Sequence, residues 1–180
     1  MIKSPLEPFV NRAEPIILAV LASGPAHGYD IHALLVRRLG RLWTLKPGRI
    51  YALLTGLEKR GLVDHVRVRQ ADRPDKKVFE LTEPGRRAVE AWCVSPVEHI
   101  RQLRLEFLAK LHFVDQLRPA RRRDLIEAQV RVCAEKIFQL QQRAEAAESS
   151  AERLTFSFRL AMARAAMDWL SAQSLSPSTP

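Results

Sequence analysis

All seven glycines of this 180-residue chain, at positions 24, 28, 40, 48, 56, 61 and 85, precede Ser95. Glycine supplies the backbone freedom that tight turns and helix ends require. Turns therefore crowd into the first half, and the glycine-free second half is expected to be long helices. Charge divides at the same place. Residues 1–95 hold 16 Lys and Arg against 10 acids and residues 96–180 hold 13 against 10, so most of the formal net charge of +9 lies in the turn-rich half. Such an excess favours a polyanionic partner over an acidic small molecule. The length suits one compact domain or two small ones. The division predicts two, at residues 13–94 and 96–173, with flexible termini at 1–12 and 174–180.

In the first half, Ile16, Ile17, Val20 and Leu21 sit at helical spacing behind Pro15, and Ser23-Gly24-Pro25 ends the run, which predicts a short buried helix. A second helix begins near His27-Gly28, with Ile31, Leu34, Leu35 and Leu39 on one face and Arg37, Arg38 and Arg41 around its end. A third opens at Lys46-Pro47-Gly48, with Thr44 as its expected cap. Ile50, Leu53, Leu54 and Leu57 share one face of that helix, which leaves Gly48, Ala52, Thr55 and Lys59 on the opposite one, flanked by Arg49 and Tyr51. The outer face is small in its middle, where a solvated face would carry Glu and Lys. It would let a surface approach closely, with Arg49, Tyr51, Thr55 and Lys59 as donors.

Residues 62–69 then alternate apolar and polar at period two, the pattern of a half-buried strand, and residues 76–81 alternate again after a turn at 70–75. The pair reads as a β-hairpin whose tip and flanks carry Arg67, Arg69, Arg73, Lys76 and Lys77. Thr82 and Pro84 open a further helix. Three helices, a basic hairpin and a helix are the order of a winged helix-turn-helix. Its third helix is narrow enough for a major groove, and its hairpin sets cations beside adjacent phosphates. Tyr29, with the free amides at the start of the second helix, is a further phosphate candidate.

Four segments together resemble the PadR family of transcriptional regulators: Ile17-Leu18-Ala19-Val20-Leu21, Gly24-Pro25-Ala26-His27-Gly28-Tyr29-Asp30-Ile31, Leu45-Lys46-Pro47-Gly48-Arg49-Ile50-Tyr51, and Leu57-Glu58-Lys59-Arg60-Gly61-Leu62-Val63. The segment from Phe79 to Arg86 is similar to the family's strand-to-helix junction. The resemblance covers about residues 14–92. It implies that the Pro-Gly-x-x-Tyr helix is the DNA reader, which assigns Lys46, Gly48, Arg49, Tyr51, Ala52 and Thr55 to the interface. Arg49 stands where the family often has Ser or Thr, and Ala52 where it often has a basic residue. The resemblance further implies repression, a C-terminal helical domain for dimerisation and, in some members, a small planar or phenolic effector.

In the second half, Ile100, Leu103, Phe107, Leu111 and Val114 predict a helix over residues 97–117, and Pro119 resets the chain. From Ile126, the positions Val130, Cys133, Ile137, Leu140, Ala144 and Ala147 form a three-heptad seam that needs a partner helix. The last helix, about residues 151–172, carries Phe156, Leu160, Ala163, Met167 and Leu170 on one face and Leu154, Phe158, Ala161, Ala165 and Trp169 on another. A helix apolar on two faces in so small a domain points to subunit contact, so Phe156, Phe158, Leu160, Ala163, Met167, Trp169 and Leu170 are the dimerisation candidates. The fold class expected is mainly α with a small β-hairpin wing, a winged helix-turn-helix domain followed by a three-helix dimerisation domain.

No nucleophile elbow, phosphate-binding glycine loop or paired-carboxylate motif is present, so no enzyme and no cofactor are expected. The five histidines, at 27, 32, 65, 99 and 112, show no close metal-ligand spacing with one another or with Cys93 and Cys133, and no metal is expected. Two cysteines in apolar helical contexts fit core packing in a reducing compartment, and no apolar run approaches a membrane span, so the reading is cytoplasmic. Trp43, Trp92 and Trp169 fit core better than ligand pocket. The reading is a sequence-specific regulator that binds double-stranded DNA as a homodimer. The alternatives are a winged-helix protein-interaction module and a nonspecific RNA binder, the latter disfavoured by an aromatic content of 7%.

Overall fold

The structure is a computed structural model that describes residues 9–40, 45–69 and 76–175. The chain divides into two compact units, Met1–Cys93 and Val94–Pro180.

The first unit is built around α1 (Glu14–Leu21), every residue of which is buried. A helix apolar on all sides can only be a central one, and α2 (Gly28–Leu39) and α3 (Pro47–Lys59) pack on it. The stripe Ile50, Leu53, Leu54 and Leu57 turns inward as its periodicity requires. Lys46 is the N-cap of α3 and makes no side-chain capping bond; the expected cap, Thr44, lies outside the described residues.

The sheet has three antiparallel strands in the order β1-β3-β2, with β1 at Ala26–His27, β2 at Val63–Val68 and β3 at Lys76–Leu81. β1 had no sequence signal, because two residues cannot show a period; it pairs Ala26 with Phe79 and His27 with Val78. The expectation of half-buried strands needs correction beyond the hairpin's base. Val63 and Phe79 are buried, but Val66 and Val68 are exposed, so the hairpin leaves the body of the unit after its first residues. The turn at 70–75, with Arg73, lies outside the described residues.

α4 (Glu83–Val94) starts as its cap predicts. Thr82 Oγ1 accepts from Gly85 N at 3.1 Å and donates to Gly61 O at 2.6 Å. A Cβ on Gly85 would lie 1.9 Å from Leu62 O, so only glycine lets the start of α4 pass this close to the start of β2. Trp92 and Cys93 complete the core from α4, while Trp43 lies outside the described residues.

In the second unit, the helix expected over 97–117 is interrupted. α5 (Ile100–Gln102) leads into a π-helical turn at Leu103–Phe107 and then α6 (Leu108–Leu117). Gln102, Glu106 and Lys110, spaced at four, are buried beside the apolar stripe. They satisfy one another: Gln102 Nε2 donates to Glu106 Oε2, and Lys110 Nζ lies 3.9 Å from Glu106 Oε1 and donates to Ser95 O and Oγ. A single turn of 3-10 helix at Pro119–Arg121 precedes α7 (Arg122–Glu145), which packs along α8 (Ser150–Leu175). α8 runs through Ser174 and Leu175, beyond the flexible tail expected from residue 174. The core joins Leu103, Phe107, Leu111 and Val114 to Leu125, Ile126 and Cys133 of α7 and Leu170 of α8. Gln129 of α7 pins Val97 through both of that residue's backbone groups, accepting from its N at 2.7 Å and donating to its O at 3.0 Å. Both cysteines are buried thiols, and burial pushes the Cys133 thiol up against a smaller opposing effect from Gln129. Among the described residues no helix is long and apolar enough to cross a membrane.

Candidate nucleic-acid interface

α3 presents Lys46, Gly48, Arg49, Tyr51, Ala52, Thr55 and Lys59 to solvent along one side. A Cβ built on Gly48 would meet nothing within 4 Å, so nothing in the protein requires a glycine there. With Ala52 it leaves a bare strip on which another surface can come close to the backbone. Among the described residues Lys46, Arg49 and Lys59 make no ion pair, and the Arg49 guanidinium has all its donors available. One detail differs from the sequence reading. Thr55 Oγ1 donates to Tyr51 O at 3.0 Å, so its hydroxyl faces outward as an acceptor rather than a donor.

Three side-chain ties hold this helix within its unit. At its C-terminal end, Arg60 Nη2 pairs with Glu14 Oε1 at 2.9 Å, and the other oxygen of that buried carboxylate accepts from Val10 N. Two residues earlier, Glu58 pairs with His65 of β2, whose ring packs against Phe79. Near the N-terminus, Tyr51 lies over the start of α2. His27 Nδ1 accepts from Tyr29 N at 3.2 Å, which caps α2 and requires a lone pair on that nitrogen. The neutral ring then carries its proton on Nε2, 3.4 Å from the Tyr51 hydroxyl, and that hydroxyl keeps its own hydrogen for an outside acceptor. Gly28 makes room for the tyrosine, since a Cβ there would lie 2.6 Å from Tyr51 Cε1. Tyr29, 65% exposed, stands beside the same helix start.

The hairpin supplies the second group of cations. Arg67, Arg69, Lys76 and Lys77 are exposed, and among the described residues none has an ion-pair partner. The β2–β3 register sets Arg67 directly opposite Lys77. Like charges facing each other across a strand pair weaken the hairpin, and an anion between them removes that cost. Arg73 lies outside the described residues.

The sequence places His27 and Gly28 beside Tyr29 at a helix start suited to phosphate, but it shows neither their contact with Tyr51 nor any role for Glu14, Glu58 and His65, because each acts through a partner remote in the chain. A survey of histidine and cysteine spacing also misses that Glu58, Asp64 and His65 bring potential ligand atoms within 4.8 Å of one another. Those atoms are engaged internally. Glu58 holds the His65 ring, and Asp64 Oδ1 accepts from His65 N at 2.7 Å, so the group serves as a tether between α3 and β2.

The dimerisation candidates on α8 separate into two sets. Ala163 and Leu170 are fully buried within their own chain, and Phe156, Leu160 and Met167 are half-buried, so this inner face is largely consumed by the protomer. Phe158 and Trp169 are exposed, together with Leu154 and Met162 of α8 and Phe138 of α7.

Residues 17–91 match the family described as transcriptional regulator PadR-like, and residues 103–173 match the C-terminal region described for the virulence activator alpha family. The chain is 29% identical over 141 residues to the negative transcriptional regulator PadR of Bacillus subtilis, covering 78% of each protein. It is 32% identical over 85 residues to a protein of Mycobacterium tuberculosis named as a probable transcriptional regulator, covering 47% of this chain and 45% of that one. The crystal structure of Bacillus subtilis PadR in complex with operator DNA aligns at 23% identity with a TM-score of 0.49, over 92% of this chain and 97% of that one. The chain thus carries, in residues 17–91, a domain of the transcriptional regulator PadR-like family.

Proposed function

We propose that this protein is a cytoplasmic, sequence-specific repressor that binds a near-palindromic operator as a homodimer and is released by a small-molecule effector. One observation carries the DNA reading: the N-terminal half of α3 is bare at Gly48 and Ala52 where packing does not demand it, beside an Arg49 guanidinium with free donors. In a major groove, a bare strip lets the helix backbone approach the base edges while Arg49 pairs with guanine O6 and N7. Thr55 accepts from an exocyclic amine. Tyr51 donates to a phosphate, and Lys46 and Lys59 flank it. The facing cations Arg67 and Lys77, with Arg69, Lys76 and Arg73, neutralise phosphates beside the groove.

The exposed Leu154, Phe158 and Trp169 support pairing through α8. A two-fold dimer offers two copies of α3 to major grooves about 10 base pairs apart or a multiple of it. An effector that binds better to a dimer with misplaced reader helices lowers operator affinity by that difference.

A mobility-shift titration with the protein's own upstream region tests the reading. Preference over random duplex of at least about a thousandfold at near-physiological salt is expected. Equal affinity for both would overturn sequence-specific regulation, and binding to neither would leave a protein-interaction module as the better reading. Sedimentation of the same sample checks the dimer.

A further inference from the structure

The second unit contains a cavity of about 480 Å³ between the start of α5 and the facing sides of α7 and α8. Four cations line it, Arg101, Lys136, Arg143 and Arg159, and no carboxylate does. Among the described residues none of the four is ion-paired. The contrast lies on α7 itself, where Arg122 is held by Asp115 and Arg123 by Glu127. Lys136 donates to the Gln139 amide oxygen at 3.1 Å, a bond that leaves its charge unneutralised. Cations gathered around one concavity without a counter-charge repel one another, and a bound anion reverses the sign of that interaction. Three guanidinium groups also offer paired donors that match the oxygens of a phosphate or carboxylate.

The rest of the lining specifies the body of the ligand. Ile100, Leu140 and Met162 form an aliphatic wall, and the lining offers no Phe, Tyr or Trp for a planar body to stack on, its one ring being the His99 imidazole beside the start of α5. The volume falls within the range of small-molecule sites, about 300 to 1,000 Å³. We propose that this cavity binds a small organic anion with a doubly charged head, phosphate or dicarboxylate, on a short aliphatic body. The site differs from the planar or phenolic ligand that the family resemblance implies. Binding here is independent of the DNA reading, since every lining residue belongs to the helical unit.

Calorimetry on the full-length protein without DNA tests it, with hexyl phosphate and butylmalonate as probes of the two head groups, inorganic phosphate and malonate as the separated heads, and 1-hexanol as the separated body. At least one amphiphile should bind at one site per chain, tenfold or more tighter than either part. Arg143→Gln combined with Arg159→Gln changes only exposed side chains, and should weaken that binding tenfold or more while leaving the thermal midpoint in place. Met162→Glu, which sets a carboxylate at the cavity wall, should do the same without removing an arginine. Neither amphiphile exceeding its parts, or both variants binding like the parent, would overturn the proposal.

Discussion

Gly28→Ala separates the reader helix's function from the stability of its fold. The added Cβ would stand 2.6 Å from Cε1, 2.7 Å from Cζ and 3.1 Å from Oη of Tyr51. Carbon atoms settle at about 3.5 Å or more, so the ring must retreat by roughly 1 Å. The obstacle is the far end of a side chain on the exposed side of α3, and it can move. Displacing the ring from its rotamer costs about 0.5–1.5 kcal/mol, while alanine in place of glycine at this ordinary backbone conformation returns about 0.4–1 kcal/mol by narrowing the unfolded ensemble. The net change in stability should lie within about 1 kcal/mol. The hydroxyl, however, leaves His27 and the position from which, in the proposed complex, it would meet a phosphate. A hydrogen bond to a charged acceptor is worth about 1.5–3 kcal/mol, so operator affinity should fall by roughly 10- to 100-fold.

A double-mutant cycle provides the decisive comparison. In a Tyr51→Ala background there is no ring to displace, so Gly28→Ala should leave DNA affinity where Tyr51→Ala alone puts it and slightly raise stability. Fluorescence anisotropy with a labelled operator duplex gives the four affinities, and urea unfolding gives the four stabilities. An equal loss of affinity from Gly28→Ala in both backgrounds would refute the argument that Gly28 acts through Tyr51. Loss of several kcal/mol of stability would refute the claim that the ring can yield.

Gly85→Ala should behave in the opposite way. Its Cβ would sit 1.9 Å from a backbone oxygen that cannot swing aside, so urea unfolding should show a loss of about 2–4 kcal/mol. Arg49→Ala should cost about 1–3 kcal/mol on the operator and relax base preference, whereas Lys77→Ala should weaken all duplexes alike and reduce the salt slope by about 1. Titrations at several salt concentrations on operator and random DNA distinguish the two roles. Among the described residues, Arg60→Ala leaves the buried Glu14 carboxylate with only the Val10 amide, and the partial exposure of Arg60 brings the expected destabilisation to about 1–3 kcal/mol, with Glu14→Gln relieving part of it in the same background. Burial pushes the Cys133 thiol up, so fewer thiolates form at pH 8 than in a free cysteine. Mass spectrometry should find Cys133 unmodified by iodoacetamide until the protein is unfolded.

What the sequence made legible was whatever repeats along one element. The stripe Ile50, Leu53, Leu54 and Leu57 orients α3, and because burial has a period, the outer face follows by subtraction. The same logic failed where the period was broken or ambiguous. The π-helical turn at Leu103–Phe107 lies within a row of buried polar groups, Gln102, Glu106 and Lys110, which no apolar pattern announces because each is tolerated only through its partners. α8 presents two apolar faces of similar composition, and only packing against α7 decides that Ala163 and Leu170 go inward while Phe158 and Trp169 remain outside. The ties that fix α3 pair residue 14 with 60, 58 with 65, and 27 with 51, and neither member of a pair is remarkable alone. A binding face is a local property that the chain repeats residue by residue, but the rigidity that makes the face specific is built from pairs, and pairs exist only once the chain has folded. This is why the exposure of Arg49 and Lys77 could be read from the sequence while the contacts by which Gly28 and His27 position Tyr51 could not.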